Sequence, residues 1–520
     1  DSSTSRGLGD VYKRQIMKVL IYIAETGLYS SVGIHLDIAL EQIRQGNEVF
    51  ILNCDQSIGG CMENPHWNPL FCKLCMAFQK KDMKHFLPKG VEQHWMKEFV
   101  KQLKEEDIPK LQYDTVKELR ALTFHGVDIG MGVMSTYISQ TRNLNPEINE
   151  KSRAYFDALI REQIVTTLVF ERLQKKHRFG LVVFQNGRGA QFKPFFNICK
   201  NQKIDFICTE DMCNAKGDSF LTHFYNDIPH SIAANNQKYM ECWEHTKDSD
   251  DEREKIARSF FENRRNAVFA GDTIYVKNQI QGQMPEGWKD DVENIVIFNS
   301  SEDEFAAVSK EFDDAAFFPS QIEGIKSIIE HYKHDKTKHF TLRVHPNLKK
   351  VSYKYHLDLY NLNYSNLTVV RSDSPISTYA LMDAASKIIV FGSTTGIESV
   401  YWRKPVICLA AAYYKPMNIT YNPKTMEELW KYIDTPKLAC LYSDDVLKYG
   451  YYYMSSNHEK TKYIKTDRVR MNFCSHTLQC YDYQKLFGSN FLYALLIQGF
   501  YRWLRNKFPA KFKSLSLKEA

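Results

Sequence analysis

Short apolar runs, each followed by a turn rich in Gly, Ser or Asn and then by an amphipathic stretch, constrain this chain more than any other feature. Met17-Lys18-Val19-Leu20-Ile21-Tyr22 opens the series. A loop with Gly27, Ser30, Ser31 and Gly33 follows, and Ile34, Ile38, Leu40 and Ile43 then recur at near-helical spacing. After Gly46 the run Glu48-Val49-Phe50-Ile51-Leu52 completes a βαβ opening. A long amphipathic stretch over 147–176 delivers the chain into Leu181-Val182-Val183-Phe184. The alternation restarts at Ile295-Val296-Ile297-Phe298 and continues through runs ending at Val344, Val370, Phe391 and Leu409. Strands that are apolar throughout and separated by helices are buried on both faces, which calls for parallel sheets. Two such series predict an α/β fold of two Rossmann-like, doubly wound domains facing a cleft, and 520 residues suffice for both.

Composition shifts suggest the boundaries. Residues 1–16 read as a leader outside the fold, 17–285 as the first domain with a Cys-rich loop at 54–75, 291–450 as the second, and 451–520 as a helical segment. No run approaches the roughly 20 apolar residues of a membrane-spanning helix. The formal charge of +6 comes without a dense basic block interleaved with aromatics, which argues against nucleic acid as a partner. Twelve cysteines and no apolar signal region point to reduced thiols and a cytoplasmic location.

In open α/β sheets, ligands gather at the carboxyl ends of the strands. Gly392-Ser393-Thr394-Thr395-Gly396-Ile397-Glu398 stands between an apolar strand and a helix, where N–H groups and hydroxyls can meet a diphosphate and Glu398 can accept from a ribose diol. Thr395 to Glu398 also fits a capping box, with Thr395 as N-cap. Arg343, His345-Pro346, Lys349 and Lys350 follow another strand, and Ser377-Thr378-Tyr379 opens a further helix; each of these also fits a turn or cap. On the first sheet, Gln185-Asn186-Gly187-Arg188-Gly189 presents Arg188 for bidentate contact with an anion, and Glu210 follows the next strand. Glu25, His35, Asp37, His125 and Asp128 are further polar candidates.

Cys54, Cys61, Cys72 and Cys75 could supply four thiolates to a structural Zn²⁺, or could be independent thiols. The segment 491–508 carries apolar residues on one side and Arg502, Arg505 and Lys507 near its end, as in a helix that lies on the inner face of an anionic membrane or packs back on the first domain.

The blocks Phe-Gln-Asn-Gly-Arg, Leu-Arg-Val-His-Pro-Asn-Leu, Ser-Thr-Tyr-Ala-Leu-Met-Asp and Gly-Ser-Thr-Thr-Gly-Ile-Glu-Ser-Val-Tyr-Trp-Arg-Lys-Pro-Val-Ile together resemble the GT-B glycosyltransferases of bacterial capsule and surface-polysaccharide biosynthesis. The resemblance runs from about Met17 to Tyr421. It implies a nucleotide-sugar donor held by the second domain at His345, Ser377, Thr378, Ser393, Thr394, Thr395, Gly396 and Glu398. It also implies a polysaccharide or lipid-linked glycan acceptor on the first domain, with Arg188 facing the cleft and Glu210, then His35, as general base. Stabilisation of the leaving phosphate by the Ser393–Thr395 turn, His345 and Arg343 would need no catalytic cofactor. The same architecture serves nucleotide-sugar 2-epimerases and polyol-phosphate transferases, and could serve a non-catalytic assembly factor.

Overall fold

The computed structural model describes residues 16–24, 30–55, 57, 61, 69–213, 219–270, 274–455, 458, 461–466, 471–475 and 478–482. Residues 1–15 of the expected leader and the basic segment 491–508 lie outside the described residues, as does Glu25.

The first sheet contains β1 (Lys18–Ile23), β2 (Glu48–Asn53), β3 (Glu92–Trp95), β4 (Leu181–Gln185), β5 (Asp205–Cys213) and β6 (Ser219–Tyr225), in the order β3-β2-β1-β4-β5-β6. All neighbours are parallel except β5 and β6. Val19, Ile21 and Ile23 face the helix Ser30–Arg44. Leu20 and Tyr22 face the opposite layer, where the helix Glu150–His177 contributes Phe156, Leu159, Val169 and Phe170. That long helix starts where the Asn149 side chain accepts from the N–H groups of Lys151 and Ser152, and it stops at left-handed Arg178.

The second sheet contains β7 (Glu293–Phe298), β8 (Lys338–Arg343), β9 (Leu367–Val370), β10 (Lys387–Val390) and β11 (Val406–Cys408), in the order β11-β10-β7-β8-β9, parallel throughout. The order reverses between β7 and β10, and between β1 and β4 in the first sheet. These are the switch points where loops diverge and leave a crevice at the strand ends.

Two boundaries differ from the sequence expectation. The helices Ile232–Glu244 and Asp250–Arg265, expected in the first domain, bring Tyr239, Phe260 and Phe261 into one core with Val446, Tyr449 and Tyr452 of the helix Asp445–Met454, beside the second sheet. The chain thus crosses to the second domain well before 285. The segment after 450 is not helical throughout: β12 (Ile464–Thr466), β13 (Met471–Ser475) and β14 (Leu478–Asp482) form an antiparallel sheet. Around it the chain returns to the first domain, where the Asp37 carboxylate accepts from the N–H groups of Lys462 and Tyr463. Asp37 is therefore a tether.

Arg142, left-handed at the end of the helix Ile129–Thr141, spans the two domains. Its guanidinium donates to both Asp303 carboxylate oxygens, to Ser301 Oγ at 2.7 Å and to the Asn347 carbonyl at 3.1 Å. Tyr355 donates to the Arg142 carbonyl at 3.0 Å. Among the described residues no helix is long and apolar enough to cross a membrane.

Candidate functional site

A cavity of about 300 Å³ opens at the carboxyl ends of β7, β8 and β10, at the switch point of the second sheet. Asn299, Ser300 and Ser301 line it after β7, Arg343 and His345 after β8, and Gly392 to Thr395 after β10. Thr378 and Glu398 complete this side, and Arg264 enters from the helix Asp250–Arg265.

The turn after β10 is locked from behind. Gly392 has φ +79, and a Cβ there would collide with the Ala411 carbonyl oxygen, so the position needs glycine on both counts. Ser393 accepts at Oγ from the Thr395 hydroxyl at 2.8 Å and from its N–H at 3.3 Å, while its carbonyl accepts from Tyr414 at 2.6 Å. Gly396 does not line the cavity; it makes room for the Tyr414 hydroxyl, into which a Cβ would run. The helix begins at Thr395 with Thr394 as N-cap in αR geometry, so the capping box is not formed.

Glu398 corrects the capping-box reading. Its buried carboxylate accepts from Arg264 Nε at 3.0 Å and from the Tyr379 hydroxyl. It closes no capping box. It holds Arg264, a residue from 134 positions earlier in the chain.

His345 is half-buried, and its Nδ1 accepts from the Asn347 N–H at 3.2 Å. That contact makes Nδ1 the bare nitrogen and puts the ring proton on Nε2. Burial foremost, with Arg343 nearby, lowers its pKa to about 4, so it offers the cavity a neutral donor rather than a cation. The Arg343 guanidinium donates to the carbonyls of Arg371 and Ser374, which ties the loops after β8 and β9. Lys349 and Lys350 are exposed and do not line the cavity. Ser377 is a cap, accepting from the Ala380 N–H, and Thr378 alone of that pair lines the cavity.

On the first domain, Asn186 Nδ2 donates to Glu210 at 2.7 Å. Arg188 donates to Ser139 Oγ at 3.0 Å and to the carbonyl of Glu304, which lines the cavity of about 300 Å³ and a second one of about 200 Å³ beside Tyr413 and Tyr453. Arg188 and Thr395 therefore approach one cleft from opposite domains. His35 does not join them: it is buried against Thr209 Oγ1 at 3.0 Å, and burial, with His223 nearby, lowers its pKa to about 3. His125 pairs with Glu171, and Asp128 stands at the N-cap of the helix Ile129–Thr141 without a side-chain cap bond.

The four cysteines do not form the expected metal site. Cys54 follows β2, Cys61 lies in the next loop, and Cys72 and Cys75 sit one turn apart on the helix Pro69–Phe86. Among the described residues no three His, Cys, Asp or Glu side chains are placed to hold a metal ion. A helix sets Cys72 and Cys75 on one face, but neither Cys54 nor Cys61 completes a tetrahedron with them.

Sequence reasoning missed Arg264, Tyr275, Asn299, Ser300, Ser301 and Glu304. The strand-end position of Asn299 to Ser301 was a usable signal, since β7 is the central strand. Arg264 carried none, because it reaches the site through helix packing.

Residues 310–449 match the family of capsule polysaccharide biosynthesis proteins, a span that holds the β8, β9 and β10 strand ends. No curated protein matches the chain. Among solved structures, it is similar to the β-Kdo 2,4-transferase KpsC of Thermosulfurimonas dismutans at 11% identity, covering 59% of this chain and 86% of that one, with a TM-score of 0.34. A UDP-GlcNAc 2-epimerase of Methanocaldococcus jannaschii (14% identity, 84% and 98% covered, TM-score 0.25) and the glycosyltransferase SnogD of Streptomyces nogalater (11%, 86% and 97%, 0.22) are also similar. At these TM-scores the likenesses carry no argument about residues or activity.

Proposed function

We propose that this chain is a glycosyltransferase that moves a sugar from a nucleotide-sugar donor to a growing capsular or surface polysaccharide. The observation that carries the reading is the cavity at the β7, β8 and β10 strand ends, part of whose lining falls within the segment that matches capsule polysaccharide biosynthesis proteins. A switch-point crevice lined by hydroxyls, a neutral His donor and Arg264 suits a nucleotide with its phosphates.

Transfer requires stabilisation of negative charge on the leaving phosphate and placement of an acceptor hydroxyl at the anomeric carbon. His345 Nε2–H, the Ser393 to Thr395 turn and Arg264 are aimed at the first need, in a partly enclosed site where fixed donors act strongly. Glu210, held by Asn186 on the facing domain, is the carboxylate we assign as general base for an acceptor hydroxyl. The acceptor is a polysaccharide or lipid-linked glycan on the first domain's side.

A panel of nucleotide sugars screened by thermal shift tests the donor half, with His345→Ala and Thr394→Val as site controls. The stabilising donor is then incubated with surface-glycan fragments. A lengthened glycan supports the proposal, and an epimerised nucleotide sugar or binding without turnover overturns it. Donor binding that ignores both substitutions would misplace the site.

A further inference from the structure

Three basic side chains meet at the carboxyl end of the first sheet. Arg188 follows β4 on a turn whose Asn186 and Gly187 have φ +56 and +75, and Gly187 lies against Ile228 in the loop after β6. That loop ends in His230. Lys193 starts the helix Lys193–Gln202, its N–H bonded to the Gly189 carbonyl at 2.9 Å. The β4 turn, the next helix and the loop after β6 thus bring the three together.

Two of the three have a buried nitrogen without a partner among the described residues. They are Arg188 Nε and His230 Nδ1, which make no hydrogen bond among the described residues. Lys193 is 2% exposed, yet among the described residues its ammonium makes no hydrogen bond or ion pair; it lies 5.8 Å from the Phe196 ring centre. Carboxylates stand around the group: Glu210 and Glu304 toward Arg188, and Asp128 and Asp313 toward Lys193. None forms an ion pair with either cation. Burial lowers Lys193 to about 8, and burial with the two neighbouring cations lowers His230 to about 3. Buried polar nitrogens left without a partner are costly, and no carboxylate closes an ion pair with Arg188 or Lys193, so the arrangement gains when an oxygen acceptor enters.

We propose that Arg188, Lys193 and His230 form an anion subsite on the first domain's side of the cleft, which takes a carboxylate or phosphate carried by the acceptor. The inference rests on the reading of the first domain as the acceptor side. Arg188 links the subsite to the cleft, since the Glu304 carbonyl it holds belongs to a residue lining both cavities. An acidic sugar would supply the carboxylate, and a lipid-linked or polyol-phosphate end the phosphate.

The test is calorimetric titration of the full chain with glucuronate and with glycerol 1-phosphate, using glucose and glycerol as neutral controls. One anion binds and the neutral controls do not; which anion binds names the source. Lys193→Met and Arg188→Lys each weaken that binding at least about tenfold, the second because a lysine keeps the charge but loses the fork. Lys193→Met removes an unpaired buried charge, so it should melt no lower than the parent. If neither anion binds, or the substituted proteins bind as tightly as the parent, the subsite is refuted. Nucleotide-sugar binding without anion binding removes the subsite alone, and anion binding without nucleotide-sugar binding removes the donor reading alone.

Discussion

Arg264 directs its Nε–H at the Glu398 carboxylate across 3.0 Å, both side chains nearly closed to solvent, while the Tyr379 hydroxyl donates to the other carboxylate oxygen. Breaking a buried pair from one side leaves the partner charge uncompensated, at about 3–5 kcal/mol. Glu398→Gln should therefore lower unfolding free energy by about 3 kcal/mol, and loosen the donor site as Arg264 loses its anchor. Denaturant unfolding and donor titration on one preparation measure both. A change within about 0.5 kcal/mol, the level of an ordinary surface substitution, would show that the pair does not hold the site.

His345 offers the cavity a neutral Nε2–H. With its pKa lowered to about 4, it stays uncharged from pH 8 down to 5.5, so its contribution to donor affinity should be flat over that range. His345→Ala should cost roughly tenfold in affinity, as expected for one hydrogen bond to a charged oxygen. A parent affinity that rises steeply below pH 6.5, and does so only when His345 is present, would mean that the imidazolium is the working form.

Gly392→Ala adds a Cβ at φ +79 and against the Ala411 carbonyl oxygen. Backbone strain of this kind costs of order 1–3 kcal/mol, and relief would move the turn that carries Ser393 to Thr395. The expected result is a lower melting temperature together with loss of donor binding. Donor affinity equal to the parent's would separate this turn from the nucleotide.

His35, His230 and His345 have pKa values lowered to about 3, 3 and 4, in each case chiefly by burial. A histidine lowered in the folded state binds its proton more tightly when unfolded. Its contribution is present above the unfolded value near 6.5 and is lost as pH falls toward the folded value. Melting temperature should thus drop between pH 6.5 and 4. His35→Gln, which can still reach Thr209, should make that slope shallower.

Glu162 has the opposite sign. Both of its carboxylate oxygens are buried without a partner among the described residues, and burial raises its pKa well above the ordinary range. The folded state then holds the proton more tightly, so this contribution is complete below about pH 4.5 and declines as pH rises. Glu162→Gln should be at least as stable as the parent at pH 8, with the gap closing toward pH 5. Equal stability differences at both pH values would indicate that the carboxylate titrates normally.

The βα alternation and the strand ends bearing Ser393, His345 and Arg188 were legible in the sequence, because a strand buried on both faces must be apolar throughout and must end where polar loop residues begin. That local rule located the turns that line the cleft. It could not separate a ligand contact from a cap, as Ser377 and Gly396 show: one satisfies a helix N–H and the other makes room for Tyr414.

What the amino-acid order determined by itself is therefore the two α/β series and the positions of their strand-end loops, since these depend on periods of two and 3.6 residues within one short window. Only the tertiary structure decided that Arg264 enters the cavity at the β7, β8 and β10 ends, that Glu398 holds it there, that helices before residue 265 belong with the second core, and that no three of Cys54, Cys61, Cys72 and Cys75 group as metal ligands. Each of these depends on contacts between segments far apart in sequence, where burial and charge pairing, rather than periodicity, choose the partner.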